Sequence, residues 1–114
     1  MTTDSPGTTD KPDITVHNDP EHSRYEVLVD GESAGGAYYE INNAGRVVFT
    51  HTEVDKKWGG KGVGSALAKA ALDDVRATGR QAIPICPFIT SYIQRHPEYL
   101  DIVDEHHRHR VQTP

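Results

Sequence analysis

The feature that most limits what this chain can become is a change of hydrophobic period near its middle. Before Val54 short runs rich in β-branched and aromatic residues, separated by turn signals, read as strands. After the change, Val63, Leu67, Ala70, Ala71 and Val75 fall on one helical face, while Ser65, Lys69, Asp73 and Arg76 fall mostly on the other. Between the two regimes lies K-W-G-G-K-G-V-G, Lys57 to Gly64, in which four of eight residues are glycine. Another short apolar run, Gln81 to Cys86, follows the helix. A strand, a helix and a further strand in that order require a crossover and a parallel pair.

The rest of the chain fits around that unit. Ile14 to Asp19 reads as an edge strand and Asn18 to His22 as turn chemistry. Arg24 to Val29 is a strand, and Asp30-Gly31 is a hairpin turn. The return strand runs from Glu32 to Ile41, and the turn Asn42 to Gly45 leads into Arg46 to Val54. Gly79 is placed to end the helix, Pro87 to open a second, shorter helix through Tyr92 and Arg95, and Pro97 to close it. The fold class is therefore α+β: an antiparallel meander, then a helix, a parallel-paired strand and a short helix. The expected organisation is a disordered tail over 1–12, one folded domain over 13–103 and a flexible tail over 104–114.

Composition narrows the function. A chain of 114 residues holds one small core. A net charge of -5 speaks against a nucleic-acid partner, which needs a basic face. No apolar run approaches the roughly 18 residues of a membrane span, so the expectation is a soluble, cytoplasmic chain with no membrane partner. The single cysteine, Cys86, excludes an internal disulfide and a cysteine-rich zinc site. His106, His107 and His109 read as part of a solvated tail, and no metal is expected.

Two readings of the glycine segment stand open on chemistry alone. The first amides of a helix have no partner within it, the helix dipole is positive there, and glycines let a phosphate approach the bare backbone. Lys57 and Lys61 add charge beside it. The other reading is an idle strand-to-helix corner. Neither a nucleotide P-loop nor a dinucleotide fingerprint fits: Gly59 and Gly64 have the P-loop spacing but Ser65 follows without the lysine, and the run Gly60, Gly62, Gly64 has the wrong spacing for the second.

In its position between the fourth strand and the main helix, Gly59-Gly60-Lys61-Gly62-Val63-Gly64 resembles the pyrophosphate loop of GNAT-type N-acetyltransferases. Gly59 stands where that family carries Arg or Gln. F-T-H-T-E-V, Phe49 to Val54, and P-I-C-P-F-I-T-S-Y-I-Q-R-H-P-E-Y, Pro84 to Tyr99, resemble the short stand-alone YjdJ-type branch. The resemblance covers roughly residues 14–103. It implies a GNAT-like fold with a V-shaped opening between the fourth and fifth strands, and acetyl-coenzyme A as cosubstrate. The pantetheine arm would pair with backbone near Val54 and the pyrophosphate would sit on amides 60–64.

Candidate chemistry follows. Strand alternation predicts Val47, Phe49, His51 and Glu53 on one face. Glu53 or His51 can serve as base for an attacking amine, or the two can be an idle polar pair. Cys86 ends the strand beside the expected acetyl site. It is a thiolate activated by His51 that carries acetyl onward, a lining residue, or an inert buried thiol. The resemblance implies that Tyr92 protonates the departing thiolate; packing beside Ile89 and Ile93 is its other role. Arg95 either reaches a cofactor phosphate or solvates its helix, and Trp58 covers an apolar edge beside the loop. The expected function is acetyl transfer from acetyl-coenzyme A to an amine acceptor, small molecule or protein, by direct attack. The alternative is a non-catalytic module that binds coenzyme A or its thioesters and acts through protein partners.

Overall fold

The computed structural model describes residues 12–59 and 61–112. The tail expected over 1–12, apart from its last residue, and Gly60 of the loop lie outside the described residues. The meander forms as the alternation requires. Strands β1 (Ile14–Asp19), β2 (Arg24–Val29), β3 (Glu32–Ile41) and β4 (Val47–Val54) pair antiparallel in sequence order. Helix α1 (Val63–Ala77) then crosses over to β5 (Ala82–Pro84), which joins β4 in parallel. Helix α2 (Pro87–Arg95) and a 3-10 turn, Pro97–Ile102, follow.

One layer of helix covers one face of the sheet. Val63, Leu67, Ala68, Ala71, Leu72 and Val75 of α1 are buried, as are Tyr25, Val27, Val29, Ala37, Tyr39 and Phe49 of the strands. Each large apolar side chain so buried contributes about 1.5–3 kcal/mol. The register places Arg24, Glu26, Tyr38, His51 and Glu53 on the other face.

Two bulges interrupt the ladder. Between β2 and β3 the pairs Val27–Gly35 and Leu28–Ser33 leave Ala34 as an extra residue. Gly35 there has φ +141, and a β-carbon on it would overlap the Glu53 carbonyl oxygen. Between β3 and β4 the pairs Tyr38–His51 and Tyr39–Phe49 leave Thr50 unopposed.

The C-terminal segment differs from the flexible tail expected over 104–114. Val103 bridges to Ala82 at the edge of β5, and the Asp104 amide donates to the Ala82 carbonyl at 2.9 Å. Asp104 is buried, its carboxylate accepts from the His106 amide at 2.8 Å, and it pairs with Arg46 of the β3–β4 turn. A 3-10 turn, Glu105–His107, and helix α3 (His109–Gln112) carry Val111 into the core at 2% exposure. One apolar residue in a run of charges is too weak a pattern for sequence to signal. The packing depends instead on the aspartate cap and its arginine.

Two outcomes are expected. Gly35→Ala should cost about 1–3 kcal/mol in chemical denaturation, because both backbone conformation and space exclude a β-carbon. The backbone amide of His106, then His107 and Arg46, hold the Asp104 carboxyl below its usual range. A depressed folded pKa gives stability that is present above the unfolded value and lost as pH falls through the folded one. Asp104→Asn should therefore melt lower than wild type near neutral pH, and the gap should close on acidification.

Candidate functional site

The site is built on the phase of β4. Up to Phe49 the odd-numbered residues turn their backbone toward β5. The Val47 amide donates to the Gln81 carbonyl at 2.8 Å, and the Phe49 carbonyl accepts from both Ile85 and Cys86 amides at 3.0 and 2.9 Å. Thr50 then shifts the phase by one. The Asp55 amide donates the opposite way, to the Ala34 carbonyl at 2.8 Å, so alternation turns the backbone groups of Thr52 and Val54 toward the β5 side. Strand β5 has already ended at Pro84. Beyond Phe49 the two strands part, and the edge of β4 at Thr52 and Val54 faces an opening.

That opening runs into the start of α1. A 3-10 turn, Lys56–Trp58, capped by the Asp55 carboxylate on the Lys57 amide, brings the chain round. Gly62 holds the N-cap in a left-handed conformation, φ +79, with space around it. The first helical bond is from the Ala66 amide to the Gly62 carbonyl at 3.0 Å. The amides of Gly62, Val63, Gly64 and Ser65 thus have no partner within the helix. A cavity of about 310 Å³ lies there, walled by Val54, Trp58, Gly62, Gly64 and Phe88 among others. A β-carbon at Gly64 would come 2.7 Å from the Phe88 ring, so glycine is what lets α2 close against α1. Among the described residues the Trp58 indole nitrogen is buried with no hydrogen-bond partner.

The bulge also redistributes the candidate side chains. His51 and Glu53 share a face as expected, but it is the face opposite Val47 and Phe49. His51 Nε2 lies 2.6 Å from Glu53 Oε2, and both side chains are more than half exposed. Thr52, which the alternation had placed outward, points inward instead. Its hydroxyl lies 3.0 Å from the sulfur of Cys86, which is 2% exposed. Cys86 and His51 are thus not brought together, and activation of that thiol by His51 is not what the geometry provides.

Tyr92 is buried, stacked on His96 at 4.0 Å between ring centroids and near Tyr99. Burial pushes its phenol up, with Lys69 opposing the shift. Arg95 is exposed and donates to the Ser91 hydroxyl at 2.9 Å. Lys61 is exposed beside the helix start. Sequence reasoning missed Thr52, Phe88 and the platform Tyr38, whose ring lies 5.7 Å from that of His51. A bulge leaves no mark in the T-H-T-E pattern, so no signal in the sequence was available for Thr52.

A family model described as GCN5-related N-acetyl-transferase matches residues 24–102. The chain belongs to that family. Among similar proteins, Protein NATD1 of Mus musculus is 32% identical over 91 residues, covering 77% of this chain and 83% of that one. Protein NATD1 of Homo sapiens is 32% identical with 77% and 80% covered, and that of Danio rerio 28% identical with 77% and 83% covered. These matches establish the GCN5-related superfamily rather than the YjdJ-type branch. A GCN5-related N-acetyltransferase domain generally uses acetyl-coenzyme A. The match spans β2 through the turn after α2, which contains the opening, the glycine segment and the Thr52–Cys86 contact.

Within this member of the GCN5-related family, the hydroxyl-to-thiol contact is part-buried, so removing one partner should be felt. Thr52→Val is expected to lower stability by about 1 kcal/mol in urea denaturation, and Thr52→Ser to recover most of it.

Proposed function

We propose that this chain is an acetyl-coenzyme A-dependent acyltransferase that moves acetyl to an amine acceptor by direct attack, with Glu53 or His51 as the base. The observation that carries the reading is the continuity of the opened β4 edge with the bare start of α1. An extended ligand with an anionic end matches that path: amide groups for an extended arm at Thr52 and Val54, then a helix start for a diphosphate.

The local residues fit such a ligand. The amides of Gly62 to Ser65 and the ammonium of Lys61 suit a diphosphate, a helix start alone adding about 0.3–1 kcal/mol for an anion. Trp58 and Phe88 supply apolar walls, and the free indole N–H adds a donor. Gly59 gives no side chain at the position where the family carries Arg or Gln, so the backbone carries the binding. When bound, the thioester supplies an activated acetyl group. The chain's part is to hold it against β4, to take a proton from the acceptor at His51 or Glu53, and to keep Cys86 engaged with Thr52. Tyr92, a phenol kept neutral by burial, is the proposed proton donor to the leaving group. The acceptor is an amine of unassigned identity, either small or on a protein.

A second reading has one observation in its favour. His17, His51 and Glu53 are half or more exposed, so the sheet face that bears the candidate base has little of an acceptor wall. A module that binds coenzyme A thioesters without turnover, working through a partner, would look the same.

Thiol release from acetyl-coenzyme A, followed with and without a panel of amines, separates the two. Direct transfer predicts amine-dependent release that survives Cys86→Ala and falls about 100-fold or more when the true base is replaced, in Glu53→Gln or His51→Ala. Amide resonances of Gly62 to Ser65 should move on titration with coenzyme A, and Lys61→Glu should weaken the binding. Binding without release for any amine favours the module. An acetyl label on Cys86 that chases to an amine overturns direct attack.

A further inference from the structure

We propose that His51 is the base through its Nδ1 atom, that Glu53 is its positioning residue, and that the acceptor amine arrives over the sheet face opposite α1. This rests on the acyl-transfer reading above. The bulge at Thr50 places both side chains on that face and next to Thr52, whose backbone turns to the opening from the other side. One residue of strand thus separates the proposed base from the path of the thioester.

The 2.6 Å contact sets the proton positions. A carboxylate only accepts, so the imidazole must donate through Nε2. In the neutral ring the Nε2–H tautomer leaves the lone pair on Nδ1. Glu53, already engaged by that N–H, orients the ring and steadies the imidazolium that forms. The ring is also held from β3. Tyr38 lies beside it, and the Tyr38 hydroxyl accepts from Arg24 Nη1 at 3.5 Å. Arg24 is fixed by Asp19 and Glu26, each at 3.2 Å, and His17 binds Glu26 at 2.8 Å. The groups that face His51 are thus Tyr38 across the sheet and Glu53 on its own strand, with Arg24, Glu26 and Asp19 behind them. Gly36, opposite both Glu26 and Glu53, is covered by the Arg24 side chain, which with His17 engages Glu26 and leaves the exposed Glu53 as the carboxylate open on this face. That arrangement suits a primary alkylammonium. One of its protons passes to His51 Nδ1. The freed lone pair forms the new C–N bond as the thioester C–S bond breaks; Tyr92 gives its proton to the departing sulfur, and the second amine proton restores the phenol.

The first test needs no turnover. Long-range nitrogen–proton NMR on the full chain should show His51 in the Nε2–H tautomer, and Glu53→Gln should give a tautomer mixture at unchanged coenzyme A affinity. In thiol-release assays with spermidine and with a lysine peptide, His51→Ala should lower kcat about 100-fold. Added imidazole should restore part of it. Glu53→Gln should lower kcat less, with KM for acetyl-coenzyme A unchanged. An Nδ1–H tautomer in wild type, or a His51→Ala variant as fast as wild type, overturns the role while leaving acyl transfer intact. If coenzyme A does not bind at all, the acyl-transfer reading fails, and this role with it.

Discussion

The Phe49 carbonyl is the pivot of the molecule. It accepts from two successive amides, those of Ile85 and Cys86, at the point where β5 leaves the sheet. A parallel ladder continues only while each strand offers its groups in step. Here the extra residue Thr50 takes β4 out of step immediately after Phe49. The ladder stops, the strands part, and a stretch of β4 is left with backbone groups facing open space in the middle of a folded domain. The start of α1, the position of α2 and the separation of His51 from Cys86 all follow from that one shift in phase.

The sequence shows the architecture and hides the shift. The change from period 2 to period 3.6, the Asp30-Gly31 turn and the proline at the start of α2 are chemical commitments of single residues, and the meander, the crossover and the parallel strand follow from them. The bulge is decided by pairing between strands far apart in sequence. Nothing in T-H-T-E says whether His51 looks into the core or away from it. A straight alternation placed His51 and Glu53 on the face of Phe49, and the real strand turned them over, with Thr52 exchanged into their place. The C-terminal segment was opaque for a related reason. Its order depends on a buried carboxylate meeting an arginine from a distant turn, and a charged run gives no hint of such a partner.

The glycine segment was legible only in part. Its position at a helix start was clear from the period change, but the need for Gly64 comes from elsewhere. Phe88, a residue of α2, rests against that glycine. Contact between the two helices joins the wall of the cavity at α1 to the N-cap of α2, where Cys86 sits. Matter that fills the space beside Gly64 therefore bears on both helices.

The strand-like bridge of Val103 to Ala82 has a different consequence. It covers the outer side of β5, whose Ala82 carbonyl is taken by Asp104. Apart from the opened stretch of β4, only the β1 margin is left bare among the described residues, and β1 is six residues long and ends at Asp19-Pro20. A sheet with two bare margins can recruit copies without limit, as fibrils do. With one margin closed, edge-to-edge association stops at a pair. Closure by its own Val103 and Asp104 makes this small domain a terminus rather than a link.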